Sequence, residues 1–224
     1  MISGPPGSGK SSLALAIAVR AGVPTLYLSA DTTRETVEIR LVSMLTGLDQ
    51  TEAEEMMNGD REWASQILER VRHISFDDHS SPTLQRIELL IDAHRELHGC
   101  EPQLIIIDNA GDVVTDGMDE FGALRALMRD IRHYARATGA ATIVLHHTRE
   151  GLGNPCPPQD AIHGRIAQVP ALILTLNSAS NPGFIGVAPV KNRHASPCPY
   201  GDNPVWLSYD ASRMSITDMQ ETAA

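Results

Sequence analysis

The residues with the clearest chemical signature stand at the start of the chain. Gly4-Pro5-Pro6-Gly7-Ser8-Gly9-Lys10-Ser11 fits the pattern G-x-x-x-x-G-K-[ST] in full. Glycines in such a loop let backbone N–H groups converge on phosphate oxygens, and the following helix adds the partial positive charge of its N-terminus. We predict that this loop and Ser12 bind the phosphates of a nucleotide. Lys10 is expected to reach the β- and γ-phosphates, and the Ser11 hydroxyl to ligate Mg²⁺.

A carboxylate that could complete the magnesium site follows the most apolar run of the sequence, residues 104–107. This residue is Asp108, placed where a buried strand would end. Its expected role is to hold the hydration shell of Mg²⁺, mostly through water. The alternative is an aspartate that only caps the next turn.

These residues need a scaffold, and the chain alternates short apolar runs with helical patterns. That alternation predicts an α/β fold in which helices flank a mainly parallel twisted sheet. Strands are expected at residues 1–3, 25–29, 73–76, 104–108 and 141–145, and helices at 10–21, 32–46, 60–72, 81–97 and 120–138, with a shorter acidic helix that begins near Thr51. The remaining part is β-rich and predicts a C-terminal β-hairpin region: 171–177, 183–190, 205–208 and 214–217.

Three helix starts are predicted from local signals. Thr32 with Glu35, and Thr51 with Glu54, have the spacing of a capping box. Ser81-Pro82 would place proline at the first helical position. Residues 148–164 contain three prolines and three glycines, which predicts a long mobile loop. We expect one domain over residues 1–217 and a frayed tail over 218–224.

Composition narrows the possible functions. The chain has 224 residues and a formal net charge of −10, which disfavours binding of nucleic acid over the whole surface but permits a local basic groove. No apolar run approaches the ~20 residues that a membrane helix needs. Three widely spaced cysteines predict free thiols in a reducing cytoplasm. Of the 18 basic residues only Lys10 and Lys191 are lysines, which suggests that both positions need a compact ammonium.

Other segments resemble the RecA-like core of hexameric replicative helicases of the DnaB and plasmid RepA type. The run Tyr27-Leu28-Ser29-Ala30-Asp31-Thr32-Thr33-Arg34-Glu35, followed by Ile39-Arg40-Leu41, is similar to the second-strand segment of that family. The resemblance implies that Asp31 stands where the family glutamate activates the attacking water. Aspartate keeps the charge but is one methylene shorter. Its alternative role is a helix N-cap beside Thr32.

Two further segments extend this resemblance. Residues 143–148, which include His146 and His147, are similar to the fourth strand of the family, and His147 matches the place of its γ-phosphate sensor. Adjacent strand residues point to opposite faces, so the two histidines are a poor metal-chelating pair. Lys191-Asn192-Arg193 matches a K-x-R element that the family presents to the nucleotide of a neighbouring subunit. Arg193 would then stabilise charge on the γ-phosphate, with Lys191 beside it.

The resemblance implies ATP and Mg²⁺ as ligands, assembly into a hexameric ring or filament, and single-stranded DNA as a partner. Arg149 and Arg165, in and after the long loop, would contact the DNA backbone. Family members also have an N-terminal domain, so this chain would be a core with a separately encoded partner or a shortened relative.

We therefore expect an ATP-hydrolysing motor core that acts on single-stranded DNA. A short recombinase or strand-annealing ATPase, an ATP-dependent regulator that binds protein, and a small-molecule kinase are the alternatives. The last is disfavoured because residues 148–164 contain a single arginine where such kinases usually close an arginine-bearing lid.

Overall fold

The computed structural model describes residues 1–113, 120–149, 154–178 and 182–219. These residues form a nine-stranded sheet with helices on both faces, in the order β3-β2-β4-β5-β1-β6-β7-β8-β9. The elements in chain order are β1 Ile2–Gly4, α1 Lys10–Ala21, β2 Thr25–Ser29, α2 Arg34–Thr46, α3 Gln50–Gly59, α4 Arg61–Glu69, β3 Ile74–Asp77, α5 Leu84–His98, β4 Leu104–Asp108, α6 Glu120–Thr138, β5 Ala141–His147, β6 Leu172–Asn177, β7 Phe184–Asn192, β8 Val205–Asp210 and β9 Ser215–Asp218. The predicted α/β fold is confirmed.

Strands β1 to β6 run parallel to one another, which places their carboxyl ends at one edge of the sheet. All five residues of β4 are buried, as an apolar strand covered on both faces should be. The register pairs Ser29 with Asp108 and Gly4 with His147. The ends of four strands therefore bring the phosphate loop, Asp31, Asp108 and His147 together at this edge.

Each face of the sheet has its own apolar core. Helices α5 and α6 cover one face through buried residues such as Ile91, Leu124 and Leu127. Helices α1 and α2 cover the other face through Leu15 and Leu41. The strands between these layers are fixed from both sides, so the loops at their carboxyl ends start from rigid positions.

The last three strands are antiparallel, which confirms the predicted C-terminal hairpin region. Strand β7 runs back along β6, and the register pairs Asn192 with Leu172. The end of β7 therefore lies at the amino end of β6. At about 3.3 Å per residue, the two ends of β6 are separated by about 17 Å. This reversal separates the end of β7 from the edge that holds the phosphate loop.

The three predicted helix starts are wrong by a few residues. Helix α2 is capped by the Thr33 side chain instead of Thr32. The capping box of α3 is formed by Asp49 and Glu52, not by Thr51 and Glu54. Helix α5 is capped by Thr83, so the Ser81-Pro82 pair lies before the helix. Several capping residues follow one another in each segment, and tertiary contacts decide which of them is used.

The predicted mobile loop is anchored over the residues that are described. Residues 154–168 contain two 3-10 turns, Gln159–Ala161 and His163–Gln168. Cys156, Ile162 and Ile166 are buried in the core, and Thr148 bridges to Ile162. Burial of these apolar side chains explains why the segment packs. Asp218, predicted to begin the tail, is instead the last residue of β9 and pairs with Leu207 of β8. Residues 220–224 lie outside the described residues.

Candidate nucleotide-binding site

The loop between β1 and α1 has the shape that a phosphate cradle requires. A Cβ atom on Gly4 would lie 2.5 Å from Ser8 Oγ and 2.7 Å from the Leu176 carbonyl oxygen. Gly9 has a φ of 84°, which favours glycine, and a Cβ there would lie 2.7 Å from Ile185 Cδ1. The Ser8 hydroxyl is buried and has no hydrogen-bond partner among the described residues. An anion in this loop would supply one.

The side chain of Lys10 is held at the mouth of the phosphate loop by the backbone of that loop. Its Nζ donates hydrogen bonds to the carbonyl oxygens of Gly4, at 3.0 Å, and Pro5, at 2.9 Å. Burial lowers the pKa of the ammonium, and the carboxylates of Asp108 and Asp31 act in the opposite direction. Lys10 is only 7% exposed, so a phosphate would meet a positive charge with little competing water.

Asp108 lies at the end of β4 beside the loop. Tyr27 Oη donates a hydrogen bond to Asp108 Oδ2 at 2.8 Å, and the Ser11 side chain lies beside this carboxylate. Burial raises the pKa of Asp108, while Ser11, Tyr27 and Lys10 counteract the rise. A hydroxyl and a carboxylate are the hard oxygen ligands that Mg²⁺ prefers, so these residues fit the ion. A cation there would also offset the desolvation of Asp108.

Asp31 follows β2 at the same edge and is exposed. Its carboxylate lies near that of Asp112, which is in the short 3-10 turn Ala110–Asp112 after β4. Burial, together with the nearby charge of Asp31, raises the pKa of Asp112 to about 6. The cap of α2 is Thr33, so Asp31 is free of the N-cap role that the sequence left open.

His147 ends β5 next to the phosphate loop, with Nδ1 3.5 Å from Lys10 Nζ. Burial lowers the pKa of this imidazole, and the nearby Lys10 ammonium lowers it further. A neutral ring can both donate and accept a hydrogen bond, which suits a sensor of a phosphate-linked water. His146 is buried, whereas His147 is half-buried and lines the cavity.

These groups share one cavity of about 420 Å³. The wall also includes residues that were not predicted as site residues, among them Arg40 of α2, Gln50 of α3 and Tyr209 of β8. Ser12, predicted to bind nucleotide, lies on the wall with its Oγ 3.0 Å from Tyr209 Oη. The lining is completed by residues of the phosphate loop, of the strand ends and of the β8–β9 turn: Pro6, Gly7, Ser8, Gly9, Lys10, Ser11, Asp31, Thr32, Asp108, Asn109, His147, Ala211 and Met214.

Lys191 and Arg193 are not part of this cavity. Lys191 Nζ donates to the carbonyl oxygens of Ala167, at 2.5 Å, and Gln168, at 3.0 Å. One terminal nitrogen of Arg193 donates to Gln168 O at 3.0 Å and Val169 O at 3.4 Å. Both side chains lie at the opposite edge of the sheet, at the end of β7. They therefore cannot reach a nucleotide bound by their own phosphate loop.

The two arginines predicted to contact DNA are only partly described. The Arg149 side chain is exposed, and its backbone N–H donates to Ala161 O at 3.2 Å. The side chain of Arg165 lies outside the described residues. Their contact with single-stranded DNA stays a prediction.

The sheet order and the site together define a P-loop nucleotide-binding protein with a RecA-like core. A family model described as an AAA domain matches residues 1–151, and the chain therefore belongs to this AAA domain family. The gene 65 protein of Mycobacterium phage D29 is 35% identical over 223 residues, covering 95% of this chain and 96% of that protein. The gene 65 protein of Mycobacterium phage L5 is 34% identical, covering 95% of this chain and 83% of that protein.

Solved structures show the same fold. A DnaB-like replicative helicase, studied with its interactions with primase, superposes with a TM-score of 0.81 at 14% identity over 98% of this chain and 58% of that chain. A second solved structure, an ATPase domain, superposes with a TM-score of 0.79 at 14% identity, over 98% of this chain and 84% of that chain. The RadB recombinase superposes with a TM-score of 0.61 at 15% identity, over 98% of this chain and 91% of that chain. The predicted resemblance to DnaB-like helicase cores is confirmed at the level of fold.

Within the described residues, no helix is both long and apolar enough to cross a membrane.

Proposed function

We propose that this chain is an ATP-hydrolysing motor core that acts on single-stranded DNA, of the replicative-helicase type. One observation carries the proposal. Groups suited to hydrolysis gather at one edge of the sheet, whereas the Lys191 and Arg193 pair lies at the other edge. Such a site is complete only when two copies of the chain meet. An assembly of this kind is typical of motors that couple hydrolysis to movement between subunits.

Each group at the first edge has a role in this proposal. Backbone N–H groups of the phosphate loop and Lys10 bind the β- and γ-phosphates. Ser11 and Asp108 would hold Mg²⁺, which would neutralise charge on the phosphate oxygens. Asp31 accepts a proton from the attacking water as a general base. The neutral imidazole of His147 hydrogen-bonds near the γ-phosphate and relays its loss to the segment that follows β5.

The second edge supplies the remaining positive charge. In the proposed assembly Arg193 reaches the nucleotide of the adjacent copy and stabilises charge that develops on its γ-phosphate. Lys191 supports it from the same strand end. Both side chains now bond to backbone carbonyls of residues 167–169, so they would exchange these partners for phosphate oxygens.

The decisive experiment combines ATP turnover, with and without single-stranded DNA, with measurement of the mass of the assembly. Strong stimulation by DNA together with closed rings supports the helicase-type motor. Stimulation accompanied by filaments favours the recombinase, whose fold RadB represents at a lower TM-score. Turnover that no nucleic acid changes would contradict the proposal and favour the protein-binding regulator.

A further inference from the structure

A row of four arginines runs along the exposed side of α6: Arg125, Arg129, Arg132 and Arg136. With 3.6 residues per turn, these positions fall within about 60° of one another around the helix axis. They span twelve residues, or about 16 Å along the helix. All four residues are exposed, and the Arg129 side chain is 75% exposed. We call this row the arginine stripe.

The arginine stripe has few carboxylate partners. Five arginines elsewhere in the chain pair with carboxylates at 2.5–3.0 Å: Arg34, Arg72, Arg86, Arg95 and Arg213. In the stripe, only Arg129 has a carboxylate within 4 Å among the described residues, namely Asp130 at 3.3 Å. Asp130 lies about 100° around the helix from Arg129. A chain of net charge −10 therefore concentrates positive charge on one helix face.

The stripe continues into a cavity of about 460 Å³ between α6 and the residues that precede β6. Arg132 and Arg136 line this cavity together with Arg193. Among the described residues of its wall there is no carboxylate. The rest of this wall is mostly apolar, and its three arginines extend positive charge from the middle of α6 to the strand end that holds the K-x-R element.

We propose that the arginine stripe binds the sugar–phosphate backbone of single-stranded nucleic acid. This inference rests on the proposed function and deepens it, because it adds a second contact surface to the segment after β5. Guanidinium groups bind phosphate through paired, charge-assisted hydrogen bonds. The helix exposes no aromatic ring in the stripe, and the nearby Tyr134 Oη is bonded to Glu101 at 2.8 Å. Contacts to phosphates alone give binding that does not depend on base sequence.

A protein partner fits the exposed side of α6 less well than nucleic acid does. Stable protein interfaces have a buried apolar centre surrounded by polar groups. The exposed positions of α6 from 125 to 137 are four arginines, Asp130, His133 and Ala137, without a large apolar side chain. An acidic surface does exist on α5 of the same chain, where Glu88, Asp92 and Glu96 are exposed. Docking of a second copy through that surface is therefore an outcome that the test must separate.

The test compares two double variants of the full chain. R129Q/R132Q removes two charges from the stripe, and R61Q/R72Q removes two charges from exposed positions on and after α4, against the other face of the sheet. Binding of a fluorescein-labelled oligothymidylate is followed by anisotropy from 50 to 200 mM salt. We expect R129Q/R132Q to bind about tenfold more weakly at low salt and to reduce the slope of log K against log salt by about 1.4. The control R61Q/R72Q should match wild type in affinity and in salt slope. Neither double variant should change ATP turnover in the absence of DNA.

Other results would overturn the inference. If wild type binds the oligonucleotide and both double variants match it in affinity and slope, the stripe does not contact nucleic acid, while the proposed function stands. If wild type binds no nucleic acid, the proposed function fails and this surface fails with it. If R129Q/R132Q binds DNA normally but loses assembly mass in sedimentation, the stripe is a contact between copies.

Discussion

The separation of Lys10 from Arg193 makes a mixing experiment informative. The two side chains lie at opposite edges of the sheet, whose β6 strand alone spans about 17 Å. Arg193→Ala should lower ATP turnover by about 10³-fold, the lower end of the effect of an arginine finger in phosphoryl transfer. Nucleotide affinity of the isolated subunit should stay near wild type, because Arg193 is absent from the nucleotide cavity.

The rescue can be estimated from the arrangement of subunits. In an equal mixture of Arg193→Ala and Lys10→Ala subunits, half of the copies have an intact phosphate loop and half have an intact arginine. If neighbours assemble at random in a head-to-tail ring, about one quarter of the contacts combine both. The mixture should therefore recover about a quarter of wild-type turnover, although each variant alone is nearly inactive.

The assay is phosphate release in the presence of single-stranded DNA over a range of protein concentrations. The matched control mixes Arg193→Ala with a chain that has both substitutions, since no subunit of that mixture provides the arginine. Arg193 also donates two exposed hydrogen bonds to backbone carbonyls, so its loss should cost about 1 kcal/mol of stability or less, which thermal unfolding checks. No recovery in the first mixture, with turnover per subunit independent of concentration, would refute a finger that acts between copies.

Three further outcomes follow from the site. Lys10→Ala should abolish turnover and weaken binding of a fluorescent ATP analogue, and turnover at the wild-type rate would contradict the site. Asp31→Asn should bind nucleotide normally but hydrolyse it slowly, with Asp31→Glu faster than Asn; a full rate in the Asn variant would exclude Asp31 as the base. The pKa of Asp112 rises from 3.8 to about 6, so folding loses stability as pH rises from about 4 to about 6. Asp112→Asn should thus be more stable than wild type by about 1 kcal/mol at pH 7.5, after allowance for solvent screening, and equally stable at pH 4 in urea unfolding.

Local sequence signals predicted the parallel core well because each buried strand is a continuous apolar run. Residues 25–29 and 104–108 were bounded correctly, and so were the helices over 10–21 and 120–138. Helix starts were predicted less accurately, because tertiary contacts choose among neighbouring caps. Asp78 Oδ2 accepts a hydrogen bond from the backbone of Arg34 at 3.0 Å, which fixes the first turn of α2. Ser212 O accepts one from the backbone of Gln50 at 2.9 Å, which fixes α3.

The candidate site likewise contains residues that the sequence predicted and residues that it did not. The phosphate loop and Asp108 have local signatures, and the structure brings them together. Gln50 and Tyr209 have none, because they reach the cavity only through the folding of α3 and of the C-terminal strands. The proximity of two carboxyl groups such as Asp31 and Asp112 can be recognised only in the folded chain, where the ends of β2 and β4 lie side by side.

In the proposed mechanism, the reversal of β7 has a consequence that a fully parallel sheet would lack. In a parallel strand, residues at the carboxyl end face the phosphate loop of the same chain. Because β7 is antiparallel to β6, its carboxyl end carries Lys191 and Arg193 to the opposite edge. In the proposed mechanism one chain therefore holds the base and the phosphate cradle but lacks the arginine that completes them. Turnover then depends on contact between copies, so a motor built in this way hydrolyses ATP effectively only when it is assembled.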